Sequence, residues 1–127
     1  MEKDTNDKRI AKIKRDTIKQ MKELLIYKKS FDPIIEIYAG LMHQYEVLNF
    51  QFKKSNFKIT DEYTNKAGAT NERKTPVYMA LEGLRKDILS YSDKLGLNPA
   101  GLNRINDELT KKKKVSKLEK ALSNING

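Results

Sequence analysis

The chain has 127 residues, of which 34% are charged and 38% are hydrophobic, so it is long enough for one domain with a small core. Its 26 Lys and Arg residues outnumber its 17 Asp and Glu residues, and the net charge of +9 favours polyanionic partners. It has no Cys and a single His, which excludes disulfides, thiol nucleophiles and metal sites that need two imidazoles. No apolar run is long enough to span a bilayer and the N-terminus lacks an apolar signal core, so we expect a soluble intracellular protein.

The positive charge is concentrated at the two ends of the chain. Residues 1–29 carry ten basic and five acidic side chains, and residues 111–127 carry six basic and one acidic. The residues between them are close to electroneutral. This distribution is typical of basic binding arms on a neutral body, although lysine-rich ends that are merely solvated give the same pattern.

Residues 1–29 are predicted to form a basic N-terminal helical segment, with the helix itself running from about residue 5 to residue 29. Six apolar side chains fall on one arc of roughly 140° when residues are placed at about 100° each. They are Ile10, Ile13, Ile18, Met21, Leu24 and Leu25. Basic side chains cover much of the remaining surface, which suits contact with DNA phosphates. The DNA-binding candidates here are Lys8, Arg9, Lys12, Lys14, Arg15 and Lys19.

Residues 30–97 are predicted to hold two long helices that begin near Pro33 and Pro76, with Asp32 and Thr75 as the capping residues. After each proline, apolar residues repeat with the spacing 4, 3, 4, 3, 4, which is typical of helices that pack side by side. The first seam is Ile34, Tyr38, Leu41, Tyr45, Leu48 and Phe52, and the second is Val77, Leu81, Leu84, Ile88, Tyr91 and Leu95. We therefore predict an all-α fold whose core is an antiparallel two-helix hairpin.

The first of these helices has more apolar surface than one seam needs. Ile35, Ile37 and Met42 lie off the seam, so we predict that they contact neighbouring subunits and that the hairpin is the oligomerisation core. The connection between the helices is polar and long, and the alternation in Phe57-Lys58-Ile59-Thr60 leaves a short strand or hairpin possible there.

Residues 98–127 are predicted to form a C-terminal helical segment with a basic tail. Gly96 suits the end of the second long helix, and Asn98-Pro99 suits the start of a short one. Four consecutive lysines, Lys111, Lys112, Lys113 and Lys114, then interrupt the pattern. A new apolar stripe follows, rotated by more than about 120°. Its members are Val115, Leu118, Leu122 and Ile125. Either the stripe docks a partner protein, or the lysines are a second DNA-binding arm and the stripe packs on its own assembly.

The motifs of an enzyme are missing from the sequence. The six glycines form no phosphate-binding loop, and the acidic pairs Asp61-Glu62 and Asp107-Glu108 are adjacent residues that point in different directions. His43 is the single histidine, so it has no second imidazole at helical spacing. We therefore expect no enzyme, no cofactor and no metal.

The order of the helix signals carries a family resemblance. A proline-started helix, a polar loop, Thr75-Pro76, a second long helix and the segment Leu95-Gly96-Leu97-Asn98-Pro99 follow one another. Over about residues 30–105, this order resembles the small terminase subunit of tailed bacteriophages, although Thr75-Pro76 stands where Asn-Pro is common in that family.

The resemblance implies a non-enzymatic DNA-packaging component of the host cytoplasm. Such a protein binds double-stranded viral DNA, regulates a large ATPase–nuclease subunit and assembles into a ring, here expected to have roughly eight to ten subunits. A free-standing DNA-binding regulator and a coiled-coil adaptor remain the alternatives.

Overall fold

A computed structural model describes residues 2–126, and over this range the chain is mostly helical. In chain order, the elements are α1 (Glu2–Glu23), a 3-10 turn (Lys29–Phe31), α2 (Asp32–Lys54), β1 (Thr60–Thr64), β2 (Thr70–Lys74), α3 (Pro76–Lys94) and α4 (Pro99–Asn126). The helical prediction is therefore confirmed in outline. The all-α class is wrong in one respect, because the connection between α2 and α3 contains a small sheet.

This sheet is an antiparallel β-hairpin in which Thr60 lies opposite Lys74 and Thr64 lies opposite Thr70. Its turn is held by Asn65, whose side-chain oxygen accepts hydrogen bonds from the backbone N–H groups of Ala67 and Ala69, both at 3.0 Å. Gly68 supplies the positive φ of 85° that the turn requires.

Helices α2 and α3 lie side by side and run in opposite directions. Phe52, near the end of α2, stacks on Tyr78 at the start of α3 with 5.9 Å between ring centroids. At the other end, Ile35 in the first turns of α2 shares a buried cluster with Leu95, which directly follows α3.

The core is not confined to these two helices, which corrects the predicted two-helix core. The main buried cluster takes one residue from α1, one from the loop after it, one from α2, one that directly follows α3 and one from α4. These are Met21, Ile26, Ile35, Leu95 and Ile105. Ile35 is fully buried in this cluster, so it is a core residue of the single chain and is unavailable as the predicted contact with a neighbouring subunit.

Helix α1 ends at Glu23 rather than at residue 29, because the chain turns there in a Schellman motif. The backbone N–H of Ile26 donates to the carbonyl of Met21, and that of Leu25 donates to the carbonyl of Lys22, both at 3.0 Å. Leu25 takes the left-handed position with φ 62° and is 87% exposed. Leu24 and Leu25 therefore leave the predicted apolar stripe, and Ile26 enters the core instead.

Two of the three predicted helix starts are confirmed in detail. The Thr75 hydroxyl accepts from the Tyr78 N–H at 3.2 Å, and the Asn98 side chain accepts from the Gly101 N–H at 2.7 Å. Asp32 is instead the first residue of α2, and its carboxylate accepts a hydrogen bond from the Tyr27 hydroxyl at 2.7 Å.

Helix α4 is continuous over 28 residues, so the helix that was predicted to be short runs on through the four lysines that interrupt the apolar pattern. Lysine is a good helix former, and one helix of this length extends about 42 Å. The first part packs on the core through Ile105, whereas residues 110–125 are all exposed.

Candidate nucleic-acid interface

Four basic side chains form a stripe along the outer side of α1. Lys8, Lys12, Arg15 and Lys19 fall within an arc of roughly 60°, and all four are exposed. The buried residues of this helix lie on nearly the opposite side. They are Ile13, Thr17 and Met21. Because the buried side fixes the rotation of the helix, the basic stripe must face the solvent.

The stripe extends one residue beyond the predicted DNA-binding candidates. Lys22 continues the spacing 4, 3, 4, 3 that begins at Lys8, and it is exposed as well. This spacing is visible in the sequence and is the signal that identifies Lys22 as a further candidate. From Lys8 to Lys22 the stripe is about 21 Å long, which matches the axial length of about six base pairs of duplex DNA.

Arg9 lies outside the stripe by its position in the helix, and it is bonded to α2. Its Nε and Nη2 donate to the two carboxylate oxygens of Glu46, at 3.0 and 2.5 Å. This bidentate pair raises the pKa of Arg9 and holds the pKa of Glu46 below its usual value. Lys14 is half-buried on the flank of α1. Arg9 and Lys14 are thus set apart from the four stripe residues with which they were predicted.

A second polar contact joins the first half of α1 to α2. His43 Nε2 lies 2.9 Å from the Asn6 side-chain oxygen, and His43 Nδ1 lies 4.0 Å from Glu46 Oε2. The first buried residue of α1 is Ile13. Before this point Ile10 and Ala11 are only half-buried, so the polar contacts help to hold the helix in place and keep the basic stripe turned outwards.

The four tail lysines, Lys111, Lys112, Lys113 and Lys114, are exposed but do not form a stripe, since successive residues of a helix point in different directions. The apolar stripe beyond them is also exposed, with Val115 at 54%, Leu118 at 62%, Leu122 at 51% and Ile125 at 78%. It is rotated by roughly 150° from the side of α4 that packs on the core. Because α4 is unbroken, this stripe points away from the body of its own chain.

The two remaining predicted interface residues lie on opposite sides of the α2–α3 pair. Ile37 is 49% exposed. Met42 lines an open groove of about 300 Å³ between the two helices, together with Tyr45, Ile88 and Leu89. The pair therefore offers two different apolar surfaces.

Two further observations concern residues 2–126 only. No group of three or more His, Asp or Glu side chains in this range is placed to hold a metal ion. None of its helices combines the length and apolarity that a membrane span requires.

The structure is thus that of a small helical protein that presents a basic stripe and an exposed amphipathic helix. A family model described as phage terminase, small subunit, matches residues 12–113, from within α1 to within α4. The chain belongs to this family, as the resemblance implied, and the family acts in phage DNA packaging together with the large terminase subunit. No curated protein and no solved structure matches the chain.

Proposed function

We propose that this protein is a small terminase subunit that binds double-stranded phage DNA on the basic stripe of α1 and regulates the large ATPase–nuclease subunit. The observation that carries the proposal is the position of Lys8, Lys12, Arg15 and Lys19 opposite the buried side of their helix. Lysine and arginine in such a stripe contact phosphates, which fixes DNA position without reading sequence. We assign no catalytic step to this chain.

Assembly multiplies these weak contacts. A ring of roughly eight to ten copies presents the stripe many times, so phosphate contacts combine through multivalency. A ring needs two different surfaces that meet head to tail, and the surfaces around Ile37 and Met42 are different. This supports an assembly through the α2–α3 pair.

The test of DNA binding replaces Lys8, Lys12, Arg15 and Lys19 together by Gln. We expect weaker binding to duplex DNA. The negative slope of log K against log salt should become shallower by about 0.9 for each lost phosphate contact. The matched control makes the same charge change at four exposed lysines in the neutral part of the chain. These are Lys53, Lys58, Lys66 and Lys86. An unchanged slope in the stripe variant would contradict the proposal.

Assembly is tested by Ile37→Glu, which places a carboxylate on an exposed apolar surface. We expect smaller particles by light scattering with unchanged helical content by circular dichroism. Gln51→Glu, at an exposed polar position of the same helix, is the control. If Ile37→Glu stays fully assembled, this side of α2 is not an interface. A dimeric native mass for the unmodified protein would favour the free-standing regulator.

For the tail, we propose that Val115, Leu118, Leu122 and Ile125 dock the large subunit. An exposed amphipathic helix commonly binds by laying its apolar side into a groove of a partner. The supporting observations are the exposure of the stripe and its direction away from its own chain. The net positive charge of the tail suits a groove with acidic edges.

Two variants separate docking from the second DNA-arm interpretation. Truncation after Thr110 is expected to preserve assembly while stimulation of the large subunit's ATPase is lost. Leu118→Ser with Leu122→Ser should do the same without removing any lysine. If ATPase stimulation survives truncation and DNA affinity falls, the lysines are a DNA arm and the docking assignment is wrong.

A further inference from the structure

A small cavity lies where the turn between α1 and α2 meets α4. Its volume is about 170 Å³, and its polar lining consists of Lys28, Ser30, Glu108 and Lys112. The apolar lining includes Ile26, Phe31, Ile105 and Leu109. A single water needs only about 10–15 Å³ of such volume, so a phosphate group has room here.

The two lysines of this cavity come from opposite ends of the sequence. Lys28 belongs to the basic N-terminal segment and Lys112 to the basic tail. Among residues 2–126, no ion pair involves either lysine or Glu108. Two lysines without ion-pair partners therefore contribute to the lining of one cavity, and the apolar residues in the same lining lower the local dielectric and strengthen attraction to an anion.

The cavity also continues the basic stripe of α1. Lys22, the last residue of that stripe, has its Nζ 5.4 Å from the centre of the Tyr27 ring. Tyr27 is held by its hydrogen bond to Asp32, and the next residue in the chain is Lys28. Basic side chains thus lie at the end of α1, on the turn after it and at the start of the tail on α4.

We propose that this cavity binds one phosphate of the DNA backbone, with the ammonium groups of Lys28 and Lys112 and the hydroxyl of Ser30 as donors. Lys112, at the base of the tail, then joins the N-terminal basic segment in a single DNA-binding track. This inference rests on the proposed function, since it names a further part of the same interface. Glu108 lies in the lining as a repulsive group and weakens the site.

Removing the negative charge of Glu108 should strengthen DNA binding, and a loss of folding cannot produce this effect. Glu108→Gln is expected to tighten binding to a duplex of about 20 base pairs by about two- to fivefold at moderate salt. Asp107→Asn is the matched control, because it makes the same charge change one residue away and does not line the cavity. Equal effects of the two substitutions would show that only net charge matters and would overturn the proposal.

The two lysines are tested singly and together. Lys28→Gln and Lys112→Gln are each expected to weaken duplex binding by up to about eightfold at 0.1 M salt, the value that a slope of about 0.9 per contact gives. Lys29→Gln and Lys113→Gln, neighbours outside the cavity lining, should have smaller effects. Since Lys28 and Lys112 share one phosphate, their double variant should lose less than the sum of the single losses, whereas full additivity would contradict a shared site.

Two results separate failure of this inference from failure of the proposed function. If the stripe variant loses DNA binding while Lys28→Gln and Lys112→Gln bind normally, the proposed function stands and the cavity site is wrong. The cavity could also take free phosphate instead of a phosphate of the DNA backbone. This is tested by measuring the melting temperature with inorganic phosphate and with chloride at the same ionic strength. If phosphate stabilises the unmodified protein but not Lys28→Gln, and DNA binding is equal in both, the cavity takes free phosphate and the DNA assignment is wrong.

Discussion

The two basic ends of the chain have the same excess of positive charge but very different surroundings. Residues 1–29 carry ten basic against five acidic side chains, and residues 111–127 carry six against one. In α1 the charges lie on a helix that buries Ile13, Thr17 and Met21, whereas residues 110–125 of α4 are all exposed. A charge count therefore does not define a binding surface. The buried side of the helix decides where the charges point.

This difference separates the roles that we propose for the two ends. The core holds α1 at one rotation, so its stripe is ready for a stiff polyanion. The tail has no tertiary contact of that kind, and a free helix of its length would be marginal in water. Its helix continues from the anchored first part of α4, which removes the cost of nucleation. Its exposed apolar stripe is suited to a protein partner.

The largest expected difference between the ends is in stability. Met21→Ala removes a fully buried side chain and should lower the free energy of unfolding by about 2–5 kcal/mol. Leu118→Ala, in the exposed tail, should change it by less than about 0.5 kcal/mol. Urea unfolding followed by circular dichroism measures both. A large loss of unfolding free energy for Leu118→Ala would show that the tail packs within the assembly. The contrast between a packed α1 and an exposed tail would then be wrong.

The base of the tail can be loosened at Gly101, in the first turn of α4. A Cβ at this position would collide with the backbone carbonyl oxygen of Asp93, so the start of α4 would have to move away from α3. We expect Gly101→Ala to cost about 1–3 kcal/mol in urea unfolding. Gly83→Ala is the control, because a Cβ there meets nothing within 4 Å, and it should stabilise the helix by about 0.5–1 kcal/mol. Equal effects would mean that α4 is not fixed through this contact.

A substitution at the end of α1 is expected to raise the free energy of unfolding rather than lower it. Leu25 has φ 62°, a conformation that costs a branched side chain about 1–2 kcal/mol, and its side chain is 87% exposed. Leu25→Gly should therefore raise the free energy of unfolding by about 1 kcal/mol. Asn56→Gly, at φ 61° at the end of α2, should gain less because Asn tolerates this conformation. A destabilised Leu25→Gly would indicate that the Leu25 side chain has a contact in the assembly.

Much of the fold follows from local sequence signals. Thr75-Pro76 and Asn98-Pro99 locate two helix starts, and Gly96 locates a helix end, because each acts through hydrogen bonds or backbone freedom within a few residues. The early end of α1 was not predictable in the same way. Leu25 has none of the conformational freedom of Gly, and the turn is stabilised by burial of Ile26 among residues far away in the sequence.

For the candidate site too, some features could be predicted from local sequence and others depend on long-range packing. Four stripe residues of α1 could be identified from helical spacing, which also points to Lys22. Two features depend on how the helices pack, so no local pattern encodes them. These are the pairing of Arg9 with Glu46 and the cavity that Lys28 and Lys112 both line. The absence of a break at the lysines reflects helix propensity, which permits a charged helix to continue without burial.

The smallest expected effect concerns the polar contacts that orient the first half of α1. Hydrogen bonds from Arg9 are the main cause of the lowered pKa of Glu46, and the charges of Arg9, His43 and Lys12 add to the effect. Because the folded pKa lies below the ordinary value of about 4.5, the pair stabilises the fold above that pH, and its contribution is lost as the pH falls through the folded pKa. Glu46→Gln should therefore melt slightly below the unmodified protein at pH 7, and the gap should narrow as the pH falls below about 4.5. Asp4→Asn, which removes only the exposed pair with Lys8, should show almost no gap over the same pH range. A gap for Glu46→Gln that does not change with pH would mean that Glu46 holds α1 by packing rather than by charge.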